Sequence, residues 1–188
     1  MRIFIAIWLS EETRKALLSA QKVLLNRFPQ ARAVPPDNLH LTLKFLGEVS
    51  APEMEKVSGV LGEVASLFPP FSLTVKTAGV FPERGPVRLL WVGAEGSGLP
   101  ARINRQLEGN LEKYGYPAEN RFREHITVIR FRTAPQRSEI QSIINQWQEK
   151  TFGQTEVKEL ALVESRLTPE GSIYTTLKSF PLTGNQRF

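Results

Sequence analysis

Cysteine is absent from this chain, and histidine occurs only twice. Without thiols there are no disulfides, no thiolate metal sites and no cysteine nucleophile. That agrees with a reducing, cytoplasmic setting. Long apolar runs are missing too. The apolar opening, Arg2 to Trp8, meets Glu11 and Glu12 too soon to form a signal-peptide core. No other stretch approaches the roughly 20 residues of a membrane helix. No flexible linker or low-complexity segment divides the 188 residues. The expectation is one soluble unit that buries its apolar surface without a staple. Lysine plus arginine is 24 and aspartate plus glutamate 19, a net charge of +5. This mild excess suits a phosphate-bearing substrate or RNA, and equally suits plain solubility.

What is present alternates between strand and helix patterns. Residues 2–8 are β-branched and aromatic, a buried strand. Ser10 with Glu11 and Glu12 opens a helix over 11–27. Residues 34–39 break regular structure ahead of a strand over 40–46. Ser50 and Glu53 form a capping box for a helix that reaches about 67, where Pro69 and Pro70 stop it. Strands at 71–81 and 87–93, a helix at 99–114 and a strand at 125–132 follow. Pro135 opens a further helix, and strands near 156–167 and 172–178 close the chain.

An offset of 85 residues carries His40 onto His125 and Thr42 onto Thr127. The same offset aligns the strand at Ile3 with Arg88 and the strand at Phe71 with Glu156. This reads as an internal duplication, with two lobes related by an approximate two-fold axis within one bilobal domain, 1–188.

The two histidines stand in matched settings, His40-Leu41-Thr42-Leu43-Lys44-Phe45 and His125-Ile126-Thr127-Val128-Ile129-Arg130. Strand side chains alternate, so each histidine shares a face with the threonine two residues on. Two facing imidazoles, with ordinary pKa values of about 6.5, can serve as general acid and general base. The threonine hydroxyls can hold anionic oxygens between them, as a phosphodiester requires. One histidine would activate water while the other protonates the leaving oxygen. A metal is not needed. Two histidines with no carboxylate at ligand spacing make a poor metal set.

Lys44 has the parity to join the His40 face, as a substrate contact or a solvated strand end. Arg130 has the wrong parity unless a bulge turns it inward. Arg121, Arg123 and Arg132 read as surface charge that draws in an anionic polymer. Phe45, Trp91, Tyr116 and Phe122 read first as core packing, with base stacking the alternative.

The run Val34-Pro-Pro-Asp-Asn-Leu-His-Leu-Thr-Leu-Lys-Phe-Leu-Gly-Glu48 resembles the first motif of the 2H phosphoesterases. Within them it is closest to the RNA 2′,3′-cyclic phosphodiesterases, also called 2′-5′ RNA ligases. Phe122-Arg-Glu-His-Ile-Thr-Val-Ile-Arg130 resembles the second motif. Residues 1–7, 81–93 and 162–169 are also similar to family segments, so the resemblance spans nearly the whole chain. It implies an α+β bilobal duplicated fold, two antiparallel-type sheets facing a central cleft, and helices packed outside. It implies hydrolysis of a terminal 2′,3′-cyclic phosphate to a 2′-phosphate, with His40 as proton donor and His125 as proton acceptor. It also implies a reversible 2′-5′ ligation of a 2′,3′-cyclic end to a 5′-hydroxyl end. No cofactor is implied. Glu124 departs from the family, which usually has proline there. The change either alters the entry to the strand or places a carboxylate near His125, which would raise its pKa.

The expected partner is an RNA end carrying a 2′,3′-cyclic phosphate, tRNA-like fragments included. No membrane partner is expected, and the chain is expected to be a monomer. Two other readings stay open. One is a phosphodiesterase for small cyclic nucleotides or ADP-ribose cyclic phosphate. The other is an RNA-binding module without catalysis, against which both intact His-x-Thr units speak.

Overall fold

The computed structural model describes residues 1–119 and 121–185. The elements run β1 (Arg2–Trp8), α1 (Glu11–Arg27), β2 (Arg32–Ala33), β3 (His40–Glu48), α2 (Ala51–Leu67), β4 (Phe71–Phe81), β5 (Leu89–Glu95), α3 (Leu99–Leu111), β6 (His125–Arg130), α4 (Arg137–Trp147), β7 (Thr151–Val157), β8 (Glu159–Thr168) and β9 (Gly171–Pro181). Short 3-10 turns at Pro36–Asn38 and Glu112–Tyr114 join them. The fold is α+β with two antiparallel sheets.

Local chemistry sets the helix starts. The Ser10 hydroxyl accepts from Thr13 N at 3.3 Å, and Glu11 and Glu12 lie at the positive end of α1. In α2 the Glu53 carboxylate accepts from Ser50 N at 2.8 Å, completing the capping box. Helix α3 ends at Leu111, and its expected last turn tightens into the 3-10 turn. The strand expected near 156–167 is two strands. Lys158 separates β7 from β8, and these go to different sheets.

One sheet has the order β3-β1-β8-β9, the other β2-β6-β5-β4-β7. The chain does not fill them half by half. Strand β4 leaves the first half to pair with β5, and β8 returns from the second half to pair with β1. Helices cross as well. α1 packs on the sheet of β6 and β7, whereas α3 packs on β3.

Strand β1 is buried from Ile3 to Ile7 because it has neighbours on both edges and apolar cover on both faces. Ile3, Ile5 and Ile7 enter the main core, which is continuous through both sheets. Removing one such side chain, as in Ile5→Ala, costs about 2–5 kcal/mol. Phe4 and Ala6 face the other way and join Ala161 and Val163, with Trp8 and Tyr174 packed alongside. That small apolar floor lies under the first histidine. Strands β3 and β6 approach each other without hydrogen bonding, and the cleft opens over them.

Candidate active site

A cleft of about 680 Å³ is lined by His40, Thr42, Phe45, His125, Thr127 and Arg130 from the two histidine strands. Both rings are anchored in the same way. His40 Nδ1 lies 2.7 Å from Asn38 O, and His125 Nδ1 lies 2.8 Å from Arg123 O. A carbonyl can only accept, so each Nδ1 carries the proton and donates it. In the neutral rings Nε2 is therefore bare. The Thr42 hydroxyl donates to His40 Nε2 at 2.8 Å.

Burial dominates both titrations. It pushes the His40 pKa down to about 4, against the opposing hydrogen bond to Asn38 O, and the charges of His125 and Arg130 push it lower. The physical source is a floor of rings. Phe4, Tyr174 and Trp8 stand 4.9, 5.4 and 5.6 Å from the imidazole. His125 is also lowered by burial, with Arg123 O opposing and the Arg123 and Arg130 guanidiniums adding to the shift. Phe81 and Trp91 flank it at 5.0 and 6.3 Å. The expectation that Glu124 raises the His125 pKa is overturned. The charges that act on the ring are arginines, and the shift is downward.

Two β-bulges decide which residues follow the histidines into the cleft. In β3, Thr42 pairs with Ala6 and Lys44 with Ile5, which leaves Leu43 as the extra residue. In β6, Thr127 pairs with Trp91 and Ile129 with Leu90, which leaves Val128 extra. Each bulge reverses the alternation after the threonine. Phe45 and Arg130 therefore gain the cleft face, while Ile129 is buried and Lys44 lines the cleft wall only as a buried side chain. Phe45 is not core: it is 43% exposed and stacks on Phe4 at 5.4 Å. The Lys44 ammonium is sunk in the wall, 2.5 Å from Glu108 Oε2 and 3.0 Å from Pro117 O. Arg130 is exposed in the cleft and its charge reaches both imidazoles.

Arg121 and Arg123 also line the cleft, with Arg2 and Arg32. Arg132 is exposed and is not among the lining residues. Sequence reasoning missed Asn38, whose side chain also ties the β8–β9 hairpin to the His40 strand through Ser172 O at 2.7 Å. It missed Tyr174, which the returning hairpin delivers and no local pattern announces. Phe4 and Trp8 were legible as one face of β1, but not as the floor of a site. Phe122 lines the cleft and Tyr116 is buried. Among the described residues no three His, Cys, Asp or Glu side chains come together as a metal set. No described helix is long and apolar enough to cross a membrane.

The sequence profile of the LigT-like phosphoesterases matches residues 7–91 and 97–174, one histidine motif in each segment. The chain belongs to that family. It is 32% identical over 182 residues to the RNA 2′,3′-cyclic phosphodiesterase of Methanothermobacter thermautotrophicus, covering 97% of this chain and 99% of that one. The crystal structure of a Thermus thermophilus protein, TT0787, superposes with a TM-score of 0.84 at 33% identity, covering 99% and 100% of the two chains. Escherichia coli LigT in complex with 3′-AMP superposes with a TM-score of 0.75 at 29% identity, covering 97% of each.

Proposed function

We propose that this LigT-like phosphoesterase hydrolyses RNA 2′,3′-cyclic phosphate ends to 2′-phosphomonoesters by metal-independent acid–base catalysis. His125 takes a proton from water, which attacks phosphorus. His40 gives a proton to the departing O3′. Thr42 and Thr127 donate to the non-bridging oxygens, and Arg130 offsets the charge that builds on them. With a 5′-hydroxyl in place of water as the nucleophile, the same step joins a 2′,3′-cyclic end to a 5′-hydroxyl end through a 2′-5′ bond, O3′ again leaving with the proton from His40.

The observation that carries this reading is the pair of Nδ1-anchored imidazoles lining one cleft with a single guanidinium acting on both. Each Nδ1–H bond fixes ring orientation and leaves Nε2 for chemistry. A phosphodiester anion between the rings supplies the negative charge that favours imidazolium, so substrate arrival raises the His40 pKa toward the donor range. Thr42 then turns its hydroxyl from the ring to the phosphate. The name of the Methanothermobacter relative and the nucleotide bound to the E. coli relative support RNA as the substrate class. The 85-residue offset that carries His40 onto His125 and Thr42 onto Thr127 supports reading the chain as a duplication within one bilobal domain.

The test is turnover of an oligonucleotide ending in a 2′,3′-cyclic phosphate, with and without a chelator, beside the matching mononucleotide. Undiminished turnover with the chelator and preference for the oligonucleotide are expected. Preference for the mononucleotide would favour the small-nucleotide alternative, and loss with the chelator would revive a metal. For the acid and base roles, a substrate with sulfur at the 3′ leaving position needs no proton donor. His40→Ala should recover on it and His125→Ala should not; the opposite pattern reverses the assignment.

A further inference from the structure

The bulges that set the cleft face carry a feature that the catalytic scheme does not use. A bulge disrupts the ladder locally, and buried carbonyls need partners. Leu43 and Val128 are both fully buried. In each case a carboxamide from a helix meets the bulge carbonyl. Asn104 Nδ2 on α3 donates to Leu43 O at 2.8 Å, and Gln21 Nε2 on α1 donates to Val128 O at 2.8 Å. Gln21 also donates to Val34 O at 2.8 Å, while Val34 N reaches Val128 O at 3.0 Å. Both carboxamides are buried, Gln21 2% and Asn104 7% exposed. Each comes from the other half of the chain, 107 residues from Val128 and 61 from Leu43.

We infer that Gln21 is a positioning residue for Arg130, holding the β6 bulge in the conformation that turns the guanidinium into the cleft, and that Asn104 is its counterpart for Phe45. Gln21 is not among the residues lining the cleft. Its Nε2 ties the bulge to Val34 just beyond β2, whose Arg32 pairs with Arg130 across the ladder. Losing that tie lets the strand relax toward regular alternation, which would carry Arg130 to the opposite face. The inference rests on the reading of Arg130 as a cation for the substrate phosphate.

The experiment is a double-mutant cycle between Gln21→Met and Arg130→Ala, read as kcat/KM on the oligonucleotide cyclic phosphate. Misplacement by about 1 Å can cost on the order of 100-fold. Gln21→Met should therefore lose about 10-fold or more alone, and less than about 2-fold in the Arg130→Ala background. Asn104→Leu removes a similar buried carboxamide and should lose the same factor in both backgrounds. In parallel, NMR titration of the two imidazoles needs no turnover. Because Arg130 depresses both rings, both titrations should move up in Gln21→Met as they do in Arg130→Ala. Equal losses for Gln21→Met in both backgrounds, with unmoved titrations, would overturn the inference. So would coupling of Asn104→Leu to Arg130, which would indicate general loosening. If Gln21→Met does not fold, Gln21→Asn, which keeps the amide but shortens its reach, takes its place in the same cycle. An inactive wild type would sink the functional reading instead, and the titrations would still decide the role of Gln21.

Discussion

His40 and His125 begin from the same motif and end in different surroundings. Each donates Nδ1–H to the carbonyl two residues before it, and each is followed by a threonine and a bulge. His40 then stands over three aromatic rings, and its threonine bonds Nε2. His125 stands beside Arg123, whose guanidinium lies over Phe81 and Trp91 and pairs with Glu83 at 2.7 Å. Beyond the bulges the matched positions diverge fully: Phe45 against Arg130, and Lys44 against Ile129. The lesson is that local sequence makes two equivalent bases, and neighbours from other elements make them unequal. Burial is the main cause at both rings and Arg130 adds at both, while the remaining charge differs: His125 acts on His40, and Arg123 acts on His125.

The comparison breaks most visibly at the rings themselves. His40→Ala and His125→Ala should each lose about 10²–10⁴-fold in turnover, with the double variant little worse than the poorer single one. Full activity in either single variant would end the two-histidine mechanism.

Next is the divergence behind the bulge. Lys44→Met leaves Glu108 buried without its cation and should cost about 3–5 kcal/mol by urea unfolding. Ile129 shows that the matched position accepts an aliphatic chain, so Lys44→Ile with Glu108→Leu should recover most of that loss.

Arg130 sharpens what the histidines share. Arg130→Ala should lower kcat/KM by about 10²-fold. In wild type both limbs of the kcat/KM profile should lie on the acid side of 6.5, since both free-enzyme rings are depressed. Removing the guanidinium should shift both limbs upward.

The smallest effect is on acid stability. Unfolded histidines titrate near 6.5, above the native values. In that window the unfolded chain binds more protons, so stability rises with pH and falls on acidification. For His40 the window runs from 6.5 down to about 4. Allowing for the ring edge that meets cleft water, the loss should be about 1–2 kcal/mol. Thermal melts of wild type against His40→Phe across that range measure it; a flat difference would contradict the burial of His40.

Much of the fold was legible. Ser10, Ser50 with Glu53, and the proline pair after α2 mark helix ends that depend on a few adjacent groups. The division at Lys158 was not legible, because β7 and β8 meet at a single residue with no glycine or proline to mark a turn, and only their partners differ. Strict alternation puts Lys44 on the His40 face and Phe45 off it; the Leu43 bulge exposes Phe45 in the cleft and turns the Lys44 ammonium to Glu108. Nothing in the local pattern announces that bulge, since its carbonyl is held by Asn104 from a distant helix.

The sequence by itself determined the chemistry: two histidines, each with a threonine at the same-face spacing, on strands stiff enough to aim them. Covalent spacing and strand pleat suffice for that. Only the tertiary structure decided that Arg130 and Phe45 share the histidine faces and that the Lys44 ammonium is buried against Glu108. It alone decided that each imidazole sits over a different floor. Those outcomes depend on long-range packing, on which helix braces which bulge and which hairpin returns to which sheet. Pairings between residues so distant in the chain leave no periodic trace in it.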